Sequence, residues 1–224
     1  MILLYSMQKS TIVILDYGLG NLFSVQHVCE HLGYETRITQ DKNDIASADA
    51  VILPGVGAFG DAIRNMHSLD LVSPVKDFIS SGKPFMGVCL GMQLLFSESE
   101  EFGTHKGLDI IGGSIKKFPS VTAAGNRIRV PQISWNHVLQ TGKGWNGSPL
   151  AGMENGMYMY FVHSYYAVPA DPEVVLTETE YEGIRYCSAV KKGNVFATQF
   201  HPEKSAAKGI EIYKNWLNEV DNNK

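Results

Sequence analysis

The sequence predicts a single α/β domain: a central, mostly parallel sheet flanked by helices, with antiparallel strands added to it. Two observations carry this expectation. Through residue 96, short apolar runs alternate with segments of helical periodicity, the pattern of successive βα units joined by crossovers. After residue 110 the pattern changes to strand-length segments separated by turn residues.

Each element follows from local chemistry. Thr11–Leu15 is a continuous apolar run, as expected for a strand covered on both faces. Asn21–Leu32 sets Leu22, Val25, Val28 and Leu32 at helical spacing, and Gly33 supplies a stop. Glu35–Thr39 and Ala50–Leu53 read as the second and third strands, the third ending in Pro54-Gly55. Residues 58–80 read as helical with an interruption near Ser73-Pro74. Pro84–Val88 is a fourth apolar strand, and a helix runs from Gly91 to Phe96. Later strands are expected at Ile110–Phe118, Ile128–Val138, Tyr158–Val168, Val174–Glu180, Tyr186–Lys191 and Val195–Phe200. Lys192-Gly193-Asn194 reads as a hairpin turn, and Ala206–Glu219 as a closing helix. No repeat or linker interrupts this order. Residues 10–222 therefore read as one domain, behind a poorly ordered leader over 1–9 in which Met7 is an alternative start to Met1.

Composition narrows the function. Net charge is −4 with Lys and Arg scattered, which argues against a nucleic-acid surface or an anionic membrane partner. The longest apolar runs, such as Tyr158–Val162, are too short to span a bilayer. The 3 cysteines, Cys29, Cys89 and Cys187, are far apart and form no C-x-x-C. That pattern fits neither a disulfide framework nor a zinc site, so no metal is expected and a reducing cytoplasm suits the chain.

One cysteine stands where a nucleophile gains most. Gly87-Val88-Cys89-Leu90-Gly91 runs strand, sharp turn, helix, with a glycine two residues to either side of the sulfur. This is a nucleophile elbow with sulfur in place of oxygen. The turn sets the thiol at the positive end of the next helix, and the Leu90 N–H points towards an oxyanion formed beside it. Taken alone, a cysteine is often an inert core residue, and the glycine pattern favours the functional reading. The candidate base lies far downstream, where Val195–Phe200 ends in His201-Pro202-Glu203. Pro202 favours an extended His201, and residues two apart on an extended segment share a side. Glu203 is therefore expected to orient the His201 ring, completing a nucleophile–base–orienter set. Gly55, Gly57 and Gly60 match a dinucleotide fingerprint, but they follow the third strand and lack the expected acid at the next strand end. The better reading is a loop beside Cys89 whose Val56 or Gly57 N–H gives a second oxyanion donor.

Three motifs in this order, Pro54-Gly55-Val56-Gly57, Gly87-Val88-Cys89-Leu90-Gly91-Met92-Gln93 and His201-Pro202-Glu203, resemble the class I (triad-type) glutamine amidotransferase family, whose fold is flavodoxin-like. Asp16-Tyr17-Gly18-Leu19-Gly20-Asn21, Trp135-Asn136 and Tyr160-Phe161-Val162-His163-Ser164-Tyr165 are similar to its branch of glutaminase subunits that serve imidazole glycerol phosphate synthases in histidine biosynthesis. The resemblance implies that Cys89 attacks the side-chain amide of L-glutamine without a cofactor. It implies that Gly55, Gln93 and Glu101 help to hold the substrate, and that backbone around His163, Ser164 and Tyr165 holds its carboxylate. Pro131-Gln132-Ile133-Ser134 stands where that branch usually reads Pro-His-Met-Gly. A related supplier of ammonia to sugar-modifying enzymes is therefore a second reading, and a stand-alone cysteine hydrolase of the same fold is a third. No ATP-binding or acceptor motif is present, so the resemblance implies a heterodimer with a synthase (cyclase) partner, a (β/α)₈ barrel. Trp135, Asn136 and Lys204 are its candidate contacts.

Overall fold

The structure is a computed structural model that describes residues 10–122 and 125–223. The leader expected over residues 1–9 lies outside the described residues. The chain opens β1 (Thr11–Leu15), α1 (Leu22–His31), β2 (Glu35–Thr39), α2 (Lys42–Ser47), β3 (Ala50–Gly55), α3 (Phe59–Ser68), α4 (Val72–Ser80) and β4 (Phe85–Cys89). It continues through α5 (Leu90–Leu94), β5 (Phe96–Ser99), β6 (His105–Lys106), β7 (Ile111–Lys117), β8 (Gln132–Gln140), β9 (Met157–His163) and β10 (Tyr165–Pro169). It closes with β11 (Val175–Tyr181), β12 (Ile184–Lys192), β13 (Val195–Thr198) and α6 (Ala206–Asn222).

The main sheet runs β2-β1-β3-β4-β13-β12-β10-β7-β5-β6, and β11, β8 and β9 branch from it. Its first five strands are parallel. Their side chains alternate between two cores: in β3, Val51 and Leu53 enter one, Ala50 and Ile52 the other. Helix α6 closes the second core with Tyr213, Trp216 and Leu217, all buried. This two-sided burial explains the uninterrupted apolar runs of β1, β3 and β4.

The decisive feature is where β13 goes. It returns from the far end of the chain to pair with β4, Ala197 opposite Gly87 and Thr198 opposite Val88. The carboxyl ends of β3, β4 and β13 therefore lie side by side. In open α/β sheets that edge is where ligands bind.

Several boundaries differ from expectation, for identifiable reasons. The long helix breaks at Leu69–Leu71, where Asp70 takes φ 52°, and not at Ser73-Pro74. Pro74 sits instead in the first turn of α4, where its missing N–H has no intrahelical partner to lose. Helix α2 was not expected; Asp41 caps it by accepting from the Asn43 N–H. The helix after Cys89 ends at Leu94, and Phe96 begins β5 because that edge is taken up by β7 in parallel. The expected strand Tyr158–Val168 is two strands, parted at Ser164. The strand expected from Ile128 begins only at Gln132. The Gly193 turn joins β12 to β13 as expected, with Gly193 at φ 55°.

A Cβ added at Gly91 would overlap the Leu53 carbonyl, so β3 and α5 touch only because this residue has no side chain. Gly91→Ala is expected to cost about 1–3 kcal/mol or more, since backbone must move. Gly142, with open space around its Cβ position, is the control: its alanine variant should stay within about 0.5 kcal/mol. Urea unfolding midpoints of the two variants check this.

Candidate active site

Cys89 is the last residue of β4 and the cap of α5, with φ 55° and ψ −108°. A non-glycine residue in this region is strained by about 1–3 kcal/mol. The flanking glycines make the turn possible: a Cβ at Gly87 would press on the Gly91 backbone at 3.1 Å. The result is a buried sulfur, 6% exposed as a residue, at the carboxyl edge of the sheet.

His201 follows β13, held by its own N–H to the Tyr160 carbonyl at 2.9 Å and by Ser205 Oγ donating to its carbonyl at 2.6 Å. Its Nδ1 lies 2.7 Å from Glu203 Oε1, and both side chains are almost wholly buried. The contact is made across a 3₁₀ turn, Pro202–Lys204, and not within a straight extended segment as the sequence suggested. A carboxylate only accepts, so Nδ1 carries a proton and Nε2 is the ring atom left for chemistry. Nε2 is buried with no hydrogen-bond partner among the described residues. Burial alone pushes the imidazole's pKa down. The Cys89 sulfur beside it and the Glu203 carboxylate outweigh that, raising it from 6.5 to about 10. The ring is therefore a proton donor over the neutral range.

A second buried histidine behaves oppositely. Burial lowers the pKa of His163 to about 4, so it is neutral. Its Nδ1 donates to the Tyr165 carbonyl at 2.8 Å; its Nε2 lies 3.2 Å from Tyr186 Oη, whose own hydrogen goes to Gln132 Oε1 at 2.9 Å.

A cavity of about 470 Å³ opens over Cys89, lined by Val56, Gly57, Leu90, Gln93, Glu101, Pro131, Tyr160, Val162, His163, Ser164, Tyr165 and Lys204. Most expected site residues thus meet here. Gly57 has φ 103°, a conformation that favours glycine. Gly55 does not line the cavity: it is buried, opposite Cys89 in the sheet, where a Cβ would strike the Tyr17 hydroxyl. That hydroxyl donates to the Pro54 carbonyl at 2.9 Å and so anchors the glycine loop. Glu101 Oε2 accepts the Phe59 N–H at the start of α3, at 2.6 Å, and burial raises the pKa of its carboxyl. A larger cavity of about 640 Å³, near Lys117, Arg127 and Arg129, shares Ser164 with this one, and its lining includes neither a cysteine nor a histidine.

The candidate partner contacts separate. Lys204 Nζ stands over the Tyr160 ring, 6.0 Å from its centre, at the cavity mouth. Trp135 is 49% exposed and pairs across the ribbon with Tyr160. Asn136 turns the other way and donates to the Glu180 carbonyl at 2.8 Å, which tightens β8 against β11. Sequence reasoning missed Gln199, fully buried beside Cys89, and gave Tyr17 no individual role. Among the described residues no group of three or more His, Cys, Asp or Glu is placed to hold a metal. No helix among them is long and apolar enough to cross a membrane.

A cysteine on a strained strand–helix turn, faced by a buried histidine that a carboxylate orients, is the machinery of cysteine-dependent acyl transfer. The sequence model of the family "Glutamine amidotransferase class-I" matches residues 13–220, and the chain belongs to that family. It is 47% identical over 205 residues to imidazole glycerol phosphate synthase subunit HisH of Rhodopirellula baltica, covering 92% of this chain and 96% of that one. It is likewise 47% identical to subunit HisH of Syntrophotalea carbinolica, covering 92% and 98%. Among solved structures, PurLQS from Thermotoga maritima superposes with a TM-score of 0.70 at 20% identity, covering 95% of this chain and 99% of that one. The glutaminase domain of CTPS from Trypanosoma brucei gives 0.66 at 16% identity, covering 96% of this chain and 94% of that one. At those identities the structural likeness speaks for the fold alone.

The sulfur is the largest influence raising the His201 pKa, so removing it should let burial reassert itself. In Cys89→Ala the His201 pKa is expected to fall from about 10 towards its ordinary 6.5 or below. Imidazole NMR shifts across pH measure this, and an unchanged value would show that Glu203 alone sets it.

Proposed function

We propose that this chain is the glutaminase subunit of an imidazole glycerol phosphate synthase, hydrolysing L-glutamine to glutamate and ammonia for histidine biosynthesis. The observation that carries the reading is the unpartnered His201 Nε2 beside the Cys89 sulfur, with Nδ1 tied to Glu203. In the first half-reaction the thiolate attacks the γ-carboxamide carbon, and charge moves to the carbonyl oxygen. The Leu90 N–H and one from Val56 or Gly57 receive that charge. His201 Nε2 gives its proton to the leaving nitrogen, the C–N bond breaks, and ammonia departs from a thioester. Neutral Nε2 then takes a proton from water, whose oxygen attacks the thioester. Glutamate leaves, and the thiolate and imidazolium are restored.

The substrate's ends fit the cavity walls. Glu101 and the Gln93 amide oxygen suit its ammonium, and backbone around His163, Ser164 and Tyr165 suits its carboxylate. Identity to HisH subunits over 92% of the chain favours the histidine branch over sugar-modifying enzymes. The partner is a cyclase, a (β/α)₈ barrel by resemblance, joined as a heterodimer in the cytoplasm. Ile133 and Trp135, 61% and 49% exposed and paired across the ribbon with the cavity residues Val162 and Tyr160, are offered to it together with Lys204.

Cys89→Ala is expected to lose at least about 10³-fold in glutamine turnover while remaining folded. His201→Ala should be nearly as severe. Glu203→Gln should be milder, because the carboxylate orients the ring and forms no bond to substrate. Glutamate release by a coupled dehydrogenase assay measures all three, and turnover by Cys89→Ala above background would sink the mechanism. The isolated chain should turn over slowly and be stimulated on adding its cyclase and the cyclase substrate. A single missing oxyanion donor accounts for about 10²–10³ in kcat, so a peptide flip at Val56-Gly57 suffices as the switch. Full-speed turnover by the chain alone, unchanged by the partner, would point instead to a stand-alone hydrolase.

A further inference from the structure

Gln199 is fully buried one residue beyond β13, and the mechanism above gives it no part. Its Nε2 lies 3.7 Å from Cys89 Sγ, and its Oε1 lies 2.9 Å from Gln93 Nε2. Gln93 Nε2 also reaches the Tyr165 carbonyl at 3.0 Å. Which way each amide faces follows from chemistry. The Tyr165 carbonyl has no hydrogen to give, so Gln93 must turn its NH₂ towards it. The same NH₂ then meets Gln199, which must answer with its oxygen. That choice leaves the Gln199 NH₂ facing the sulfur, and no other arrangement satisfies all three groups. The chain of bonds is anchored at its far end by neutral His163, which donates to the same Tyr165 carbonyl at 2.8 Å.

We propose that Gln199 is a positioning residue that joins the nucleophile to the substrate-binding wall. It donates an N–H to the Cys89 sulfur, favouring its charged form, and it draws the Gln93 hydrogens inward. Gln93 then presents only its carbonyl oxygen to the cavity, an acceptor suited to the substrate's ammonium. A bond to the sulfur and a bond to Gln93 are thus two ends of one amide. Loss of the first weakens attack, and loss of the second weakens binding. The proposal rests on Cys89 being the nucleophile.

Two variants separate the two ends. Gln199→Glu keeps an acceptor for Gln93 but replaces the donor near sulfur with a carboxylate. The pH profile of Cys89 alkylation by iodoacetamide should move up by about one pH unit or more, as a like charge close by demands. Its kcat should fall by at least about tenfold, the scale of one lost hydrogen bond to a charged group, with KM little changed. Gln199→Met removes both ends, so kcat falls and KM rises, because the Gln93 amide is free to turn its NH₂ to the cavity. A third measurement needs no substitution at 199. In the unsubstituted protein the Gln199 side-chain ¹⁵N–H₂ resonances should move over the pH range in which alkylation accelerates, and should cease to do so in Cys89→Ala. Wild-type alkylation profile, kcat and KM in folded Gln199→Glu would overturn the proposal. If neither variant folds, Gln199 resonances that ignore pH in the unsubstituted protein would overturn it equally. Glutamine turnover by Cys89→Ala would instead remove the reading on which the proposal rests, so the two failures are distinguishable.

Discussion

The site depends on one backbone constraint: Cys89 is held at φ 55° because the chain must reverse from β4 into α5 within a single residue. The reversal is tight enough that Gly91 packs against the Leu53 carbonyl and Gly87 against Gly91. Parallel pairing of β3, β4 and β13 supplies the frame that resists relaxation of this strain. The same frame brings residues 56–57, Cys89 and His201 to one edge, although more than 100 residues separate Cys89 from His201. The strained turn, the glycine loop and the histidine are thus consequences of one strand order.

Electrostatics within that frame are set by neighbours more than by depth. His163 and His201 are both buried, yet one is held neutral and the other protonated. For His163, desolvation outweighs the Tyr165 carbonyl that accepts its proton, and the charge on nearby His201 lowers it further. His201 has a sulfur and a carboxylate beside it, so their attraction wins. The neutral ring is a fixed donor that organises the Tyr165 carbonyl, while the charged ring holds the mobile proton. A buried polar chain from His163 through the Tyr165 carbonyl, Gln93 and Gln199 to the sulfur connects the two regions. Each bond in it limits the orientation of the next.

Much of this was legible in the sequence, because the informative features are local. Gly87 and Gly91 around Cys89 announce a turn that needs them, and Pro202 between His201 and Glu203 restrains a short segment. The βα alternation followed by antiparallel strands foretold the sheet and its branches. What escaped reading depends on distance. Gln199 is a single polar residue, and its meaning comes from Gln93 and Tyr165, 106 and 34 positions earlier. Tyr17 reads as one aromatic among many until Gly55 leaves room for its hydroxyl to reach Pro54. The break at Asp70 was masked by Pro74, a stronger breaker that proved harmless in a first helical turn. The apolar run from Tyr158 likewise hid the interruption at Ser164 that separates a ribbon strand from a sheet strand.

Of the three thiols, Cys89 lines the cavity while Cys29 and Cys187 do not, and the proposed function makes it the one that attacks glutamine. Cys29 and Cys187 are buried, their pKa values pushed up by desolvation. A glutamine analogue bearing a diazoketone in place of the carboxamide tests this directly, since it binds as substrate and alkylates the sulfur that attacks it. Peptide mapping by mass spectrometry should find one adduct per chain, on Cys89, formed in step with loss of glutaminase activity and prevented by excess glutamine. Labelling of Cys29 or Cys187 instead, or full activity after Cys89 is labelled, would contradict the account.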